Sequence, residues 1–297
     1  MKRDYDGILI INKEKGYTSN DVVSVLRGIL HMKKIGHTGT LDPDAVGVLP
    51  VCLGKGTKLV SMMTDMDKEY TAVARLGVIT DTEDMTGKVL ETRNLSENEK
   101  PSFEEVRDAL MSFVGGYDQI PPMYSAKKVN GKKLYELARE GIEIERRPSR
   151  VMIHEIEILM YEFPLCSFRV RCGKGTYIRS LIRDMGEKLR TGAAMEKLKR
   201  NSVSSFSLKE ALTLKEVEEH TEKGDIGDYI MSLESVFKDL PLLTVSEKLE
   251  KYVRNGNRFL TEERLPVGDY RVRTGDGTFA AVYTVKGREA VLKRMFL

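Results

Sequence analysis

Gly36-His37-Thr38-Gly39-Thr40-Leu41-Asp42-Pro43-Asp44-Ala45-Val46-Gly47-Val48-Leu49-Pro50-Val51-Cys52-Leu53-Gly54 is the stretch whose reading decides this chain. Glycines and a proline among small hydroxyl residues shape its first half and prevent a helix. Val46 to Leu53 is short and almost wholly apolar, which predicts a core strand. The loop carries one carboxylate, Asp42, and one imidazole, His37. A carboxylate on a shaped loop that runs into a rigid strand suits catalysis, because scaffolded loops often carry function. The same residues also read as architecture. An Asp before Pro is an ordinary turn or cap residue, and His37 could bond loop backbone.

Upstream, Gly7 to Lys13 reads as a strand. Thr18-Ser19-Asn20-Asp21 offers N-cap chemistry to a helix whose apolar positions are Val22, Val23, Leu26, Ile29 and Leu30. Downstream, Gly54-Lys55-Gly56-Thr57 opens a short helix near Lys58 to Met63. It lacks the glycine spacing of a Walker A loop. Lys68 to Thr80 is predicted as one strand, with Tyr70, Ala72, Ala74 and Leu76 on one face. Tyr70 by itself reads as a core aromatic. Asp81 to Gly87 reads as a solvated turn. Ser102-Phe103-Glu104-Glu105 is a capping box, and the helix it starts places Val106, Leu110, Phe113 and Val114 on one face.

Residues 125–150 hold eight Lys/Arg against four Glu. Val129-Asn130-Gly131-Lys132 is a hairpin signal and Leu134 to Glu140 a short helix closed by Gly141. This predicts a basic flap over residues 119–150. Val151 to Tyr161 and Leu165 to Cys172 are strands broken at Phe163-Pro164. Gly173-Lys174-Gly175-Thr176 then opens a helix running to about Arg190, with Ile178, Leu181, Ile182, Met185 and Leu189 as its buried stripe. Such a start presents free N–H groups to an anion. Tyr177 and Arg179 fall in its first turn, where Arg179 is either a phosphate ligand or a carboxylate partner. Residues 195–200 are strand-like and 208–239 form an acidic helical bridge. Residues 241–297 show short β-like pieces separated by glycines, a small all-β module.

The chain has 297 residues, 41% of them hydrophobic and 31% charged. That suits one large domain plus a small one. No apolar run approaches the roughly 18 residues of a membrane span. The N-terminal apolar run is a strand and not a signal peptide. Cys52, Cys166 and Cys172 make no disulfide framework and read as small core residues of a cytoplasmic protein. No Cys/His spacing suits zinc, so no metal is expected. Net charge is only +3, but residues 241–297 hold 11 Lys/Arg against 7 Asp/Glu. Local basic patches on a near-neutral chain are compatible with a polyanion gripped at defined places.

GHTGTLDPDAVGVLPVCLG resembles the signature segment of the TruB family of tRNA pseudouridine synthases. DKEYTAVARLG, DTEDMTG, PPMYSAKKVNGKKLYELAREG and KGTYIR are similar to further segments of that family. The resemblance covers about residues 5–205 well and the remainder loosely. It implies an α+β pseudouridine synthase fold: a mixed, mainly antiparallel sheet flanked by helices in residues 1–240, and a PUA-like RNA-binding domain in 241–297. It implies isomerisation of uridine 55, in conventional tRNA numbering, in the T-arm loop of tRNA, without a cofactor, by a stand-alone monomer. Asp42 is implied as the catalytic residue and Arg179 as its partner. Tyr70 would stack on the target base, His37 would fill the space it vacates, and Tyr177 and Leu198 would line the pocket. LKRNSVSSF departs from the family's LRRTxxGPF text, with Lys199 in place of the first Arg. Two other readings share these segments: a guide-RNA-dependent, dyskerin-like pseudouridylase, and a non-catalytic RNA-binding protein that helps tRNA fold.

Overall fold

The computed structural model describes residues 5–129 and 131–297. Gly7–Lys13 pairs antiparallel with Val46–Leu53 along its whole length, from Gly7 opposite Leu53 to Lys13 opposite Gly47. Alternation sends their side chains to two different cores. Leu9, Ile11, Leu49 and Val51 meet Val22, Val23 and Leu26 of the helix Ser19–Ile29. Ile8, Ile10, Val48 and Cys52 meet Leu59 and Met63 on the other side. Thr18 and Asp21 cap that helix reciprocally, as the sequence predicts.

Across the main sheet the strands run Gly7–Lys13, Val46–Leu53, Ala193–Val203, Lys68–Leu76, Leu165–Cys172, Ser149–Glu162 and Gly115–Gln119. Every neighbouring pair is antiparallel except Val46–Leu53 with Ala193–Val203, which touch in parallel at Val46–Lys199 and Gly47–Arg200. The sheet is therefore mixed and mainly antiparallel. The helices Phe103–Met111 and Ile178–Lys188 cover its far half through Val106, Leu110, Ile178, Leu181 and Met185.

The parallel contact depends on a glycine. Gly47 has φ +107°, and a Cβ there would lie 2.2 Å from the carbonyl oxygen of Arg200. Gly47→Ala must move one backbone off the other and adopt a left-handed conformation as well. It is expected to destabilise the fold by about 3 kcal/mol, seen as a lower urea midpoint. An unchanged midpoint would show that the junction is soft.

Several boundaries differ from the sequence reading. The strand predicted over Lys68 to Thr80 stops at Leu76, because Gly77 turns the chain at φ +83°. Val78–Thr80 leaves the sheet and pairs with Val89–Thr92. Val114, expected on the buried helix face, lies beyond the helix end and is exposed. In the flap, Lys128–Val129 pairs with Lys132–Lys133 ahead of the helix Leu134–Arg139; Asn130, the expected turn residue, lies outside the described residues. Residues 208–239 hold the helix Leu214–Lys223 and are bonded to the edge strand at Ile11–Leu212 and Ile8–Met231. They close the sheet edge and also carry Glu234 and Phe237, which face the residues after 240.

After residue 240 the expected short pieces are two long antiparallel strands, Phe259–Arg273 and Phe279–Met295. Gly268 and Gly287 do not end strands. They sit at register shifts inside them, where a bulge absorbs the irregularity. Leu242–Thr244 adds a third, parallel strand and Glu247–Arg254 a helix. Val245, Val253, Phe259, Tyr270, Val272 and Tyr283 form a separate core. Phe279 and Phe296 pack on Phe237 of the main body, and Glu234 takes Arg271 and Arg273. Among the described residues no helix is long and apolar enough to cross a membrane.

Candidate active site

The loop before Val46 is held by groups that come from distant positions in the chain. The Thr38 N–H donates to Pro50 O at 3.1 Å and the Leu41 N–H to Ser19 Oγ at 2.9 Å. Arg200, 1% exposed, donates from Nε to Val48 O at 2.7 Å and from Nη2 to Gly39 O at 3.2 Å. Pro43 O accepts from the Gly16 N–H at 2.9 Å and from Lys13 Nζ at 3.0 Å. The Ala45 N–H closes a turn on Asp42 O at 3.1 Å. These bonds fix the backbone on both sides of Asp42, so its carboxylate projects from a rigid mount.

The first turn of the helix Ile178–Lys188 delivers Arg179 to that carboxylate. Its Nε is 2.9 Å from Oδ2 of Asp42 and its Nη2 is 3.0 Å from Oδ1, a two-pronged pairing. Nη1 donates to Thr82 O at 3.0 Å and Nη2 also to Tyr124 O at 2.8 Å. Asp84 Oδ2 stands 3.8 Å from Nε. The Arg179 side chain is 5% exposed and that of Asp42 34%. The cation is thus buried beneath a carboxylate whose outer edge meets solvent. Asp84 is oriented by Thr82 Oγ1 at 2.7 Å and by the Thr86 N–H at 3.0 Å.

Charge and burial oppose each other here. Burial pushes the Asp42 carboxyl above the ordinary carboxylate range, Arg179 pulls it back, and Asp84 adds to the rise. Behind the loop, burial lowers the Lys13 ammonium to about 8 against the attraction of Asp42 and Asp44. Among the described residues no group of three or more His, Cys, Asp or Glu is placed to hold a metal ion.

Tyr70 and Leu198 lie in the same core cluster as Leu41 and Ala45, directly under the loop. Each is 8% exposed. Tyr70 faces Arg200 in the strand register, and Leu198 faces Ala72. Burial raises the Tyr70 and Tyr177 hydroxyls, and both rings are near enough to feel the charge of Asp42. Asp42, Arg179, Tyr70, Tyr177 and Leu198 therefore converge. His37 is on the short edge strand Ile35–His37, its Nδ1 accepting from the Gly39 N–H at 3.4 Å. Burial and the nearby Arg200 lower its pKa and favour the neutral ring.

At the helix start expected to bind an anion, Gln119 holds the backbone of the N-cap residue Tyr177, and no side chain caps the first turn. The Tyr177 N–H donates to Gln119 Oε1 at 2.8 Å, and Gln119 Nε2 donates to Tyr177 O at 3.0 Å. Of the two partners the sequence allows Arg179, the geometry supplies a carboxylate. Asp84 and Glu83 lie in a run that by itself reads as a solvated turn and that the resemblance of DTEDMTG to a family segment singles out without assigning either residue a role; the buried anchors Lys13 and Arg200 had no signal. Beside the site, between the flap and the helix Ile178–Lys188, lies a cavity of about 730 Å³ bordered by Glu83, Tyr117, Tyr124, Ile142, Arg146 and Arg183.

The fold thus sets a carboxylate on the loop before Val46–Leu53 against a guanidinium on the helix Ile178–Lys188. In overall fold the chain is similar to a solved structure described as an H/ACA RNP bound to a substrate RNA containing 2′-deoxyuridine, with TM-score 0.73 and 23% identity over 98% of this chain and 85% of that one. It is likewise similar to a chain in a Cbf5-Nop10-Gar1 complex, with TM-score 0.72 and 24% identity over 98% and 85%. These define a pseudouridine synthase fold.

Sequence carries the assignment further. A family model described as TruB family pseudouridylate synthase, N-terminal domain, matches residues 27–178. A second, the tRNA pseudouridylate synthase B C-terminal domain, matches residues 179–238. The chain belongs to the TruB family of pseudouridylate synthases. It is 47% identical to the tRNA pseudouridine synthase B of Lachnoclostridium phytofermentans over 94% of each chain. It is 42% identical to that of Bacillus pumilus over 95% of this chain and 91% of the relative, and 42% identical to that of Clostridium novyi over 98% and 100%.

Proposed function

We propose that this enzyme converts uridine 55 in the T-arm loop of tRNA to pseudouridine, as a stand-alone, cofactor-free synthase of the cytoplasm. The observation that carries the reading is the two-pronged Arg179–Asp42 pair at the mouth of a rigidly held loop. Its support includes relatives named tRNA pseudouridine synthase B that align over nearly the whole chain.

The reaction breaks the N1–C1′ bond, turns the uracil and forms a C5–C1′ bond. The C5 proton leaves and N1 gains one, so composition is unchanged and no redox partner is required. The base must first leave its stack, at a cost of a few kcal/mol. Tyr70 offers a ring face beneath the loop, Leu198 and Tyr177 supply the pocket wall, and His37 braces the vacated space. Asp42 acts ionised, as nucleophile or base. Arg179 keeps it ionised despite burial, because a fixed guanidinium in a low-dielectric site favours the anion. The basic flap over residues 119–150 and a PUA-like domain over 241–297 would neutralise phosphates on either side. The enzyme works as a monomer without an obligate protein partner.

The test uses unmodified T-arm stem-loop RNA carrying tritium at uracil C5, incubated with purified protein alone. Tritium release is expected, because forming the new bond expels that hydrogen. Tight binding without release would overturn the stand-alone reading and favour a guide-dependent enzyme or an RNA-folding protein.

A further inference from the structure

We propose that Glu83 and Arg183 form a positioning pair that holds Arg179 on Asp42 and ties that pair to the root of the flap. The inference deepens the function proposed above and rests on it. Besides Asp42 and the carbonyl of Tyr124, Arg179 is supported from one short loop by the carbonyl of Thr82 and the carboxylate of Asp84. Glu83 is the residue between them. Whatever holds Glu83 therefore holds both.

Glu83 is built as an anchor and not as a turn residue. Its backbone is left-handed at φ +64°, a conformation a non-glycine residue keeps only where its surroundings enforce it. Its carbonyl accepts from the Met195 N–H at 3.0 Å, and the Met85 N–H donates to Met195 O at 3.0 Å. These two bonds stitch the loop to the strand that also carries Leu198. Its side chain is only 10% exposed. One carboxylate oxygen accepts from Ser180 Oγ at 2.8 Å and the other from Arg183 Nη1. Ser180 follows Arg179 directly and Arg183 lies one turn later on the same helix. The Thr82–Asp84 segment is thus clamped to the very turn that presents Arg179.

Arg183 extends the clamp. Its Nη2 donates to Ile120 O at 3.1 Å, at the start of the flap, and to Asp184 at 2.7 Å. One guanidinium joins the loop, the helix and the flap root. Arg179 itself donates to Tyr124 O in the same flap segment. A shift of the flap root is therefore felt at the catalytic pair through two neighbouring arginines.

The charged and titratable groups facing Asp42 are Arg179 from the helix, Asp84 from the loop, Lys13 from the strand Gly7–Lys13, and the hydroxyls of Tyr70 and Tyr177. Glu83 is not in contact with it. Removing the Glu83 carboxylate would, through its field alone, make Asp42 easier to ionise. Releasing Arg179 would do the opposite. The direction of the pH shift separates the two.

Single-turnover pseudouridine formation on T-arm stem-loop RNA tests the pair across pH, with RNA binding measured separately. Glu83→Ala is expected to slow the reaction about a hundredfold, the scale of a displaced catalytic group, with unchanged RNA affinity. The acid limb of its profile should move to higher pH. Glu83→Gln keeps an acceptor for Arg183 and, with its amide N–H donating to Ser180 Oγ in place of accepting from it, should recover most of the rate. Arg183→Gln, with Arg183→Lys as its conservative counterpart, repeats the test should Glu83→Ala not fold. A wild-type rate, or an acid limb that stays or moves to lower pH, would overturn the inference. Activity surviving in Asp42→Asn would overturn the underlying function instead, so the two failures are distinguishable.

Discussion

Asp42→Asn is expected to bind T-arm RNA like the native protein and to release no detectable tritium, a loss of about 10⁴-fold or more. Asn preserves the shape of the side chain and the acceptor for one prong of Arg179 but sets an amide N–H against the other, while the loop backbone keeps its bonds to Ser19, Arg200 and Lys13. What disappears is the negative charge. A second expectation follows from the burial of the native carboxylate. Its folded pKa is raised, so over the interval between its ordinary and raised values the native state holds a proton that the unfolded chain has lost. Stability from this group therefore falls as pH rises through that interval, and at neutral pH the ionised Asp42 is a net burden on the fold. Asn resembles the protonated form. Asp42→Asn should have a urea midpoint at neutral pH no lower than the native protein's. An inactive variant with a clearly lower midpoint would recast Asp42 as a structural carboxylate. An active one would remove it from the chemistry.

Arg179→Ala should cost both activity and stability, which sets it apart from Asp42→Asn. Turnover is expected to fall about 10³-fold while RNA affinity changes little, because the guanidinium lies beneath the carboxylate and not at its solvent-facing edge. Truncation leaves Asp42 and Asp84 facing a buried space without their shared cation, and strands the carbonyls of Thr82 and Tyr124. Breaking a buried pair in this way costs about 3–5 kcal/mol. The Asp42 carboxyl, already raised, loses the cation that pulls it back and should rise further, so the added instability is present at neutral pH and relieved on acidification, as that carboxylate takes up its proton. Residual activity should show its acid limb at higher pH than the native enzyme. Arg179→Lys restores charge without the planar fork and should recover stability more than rate. A defect confined to RNA affinity would contradict the pairing.

The contrast between the signature loop and the Asp81–Gly87 segment shows what could be read in advance. Val46–Leu53 was legible because an unbroken apolar run of strand length has few places to go except the core. Thr18 and Ser102 were legible as caps because capping is a local exchange between neighbours three residues apart. Asp84 and Glu83 had no such local signature, only the likeness of their segment to one of the family's. A run of hydroxyl and acidic residues looks solvated until a buried arginine from a helix almost a hundred residues later is placed against it. Gln119 is another such partner: nothing local tells that its amide pairs with the backbone of Tyr177 at the start of a distant helix.

The glycines after residue 240 make the converse point. Their number suggested interruptions, whereas the long strands accommodate Gly268 and Gly287 as bulges because cross-strand pairing resumes on either side. Local propensity was outvoted there by long-range hydrogen bonding.

By itself, the sequence determined the apolar strand behind the signature loop, the caps, the class of the fold and the presence of Asp42 and Arg179 as candidates, all of which follow from short-range pattern or from a long matching segment. Only the tertiary structure decided that Arg179 meets Asp42 in two-pronged geometry, that Asp84 and Glu83 belong to the same network, and that Arg200 and Lys13 anchor the loop from beneath. The reason is physical: a buried charge takes its partner from wherever the sheet order brings one, and that order is a property of the folded chain, not of any window along it.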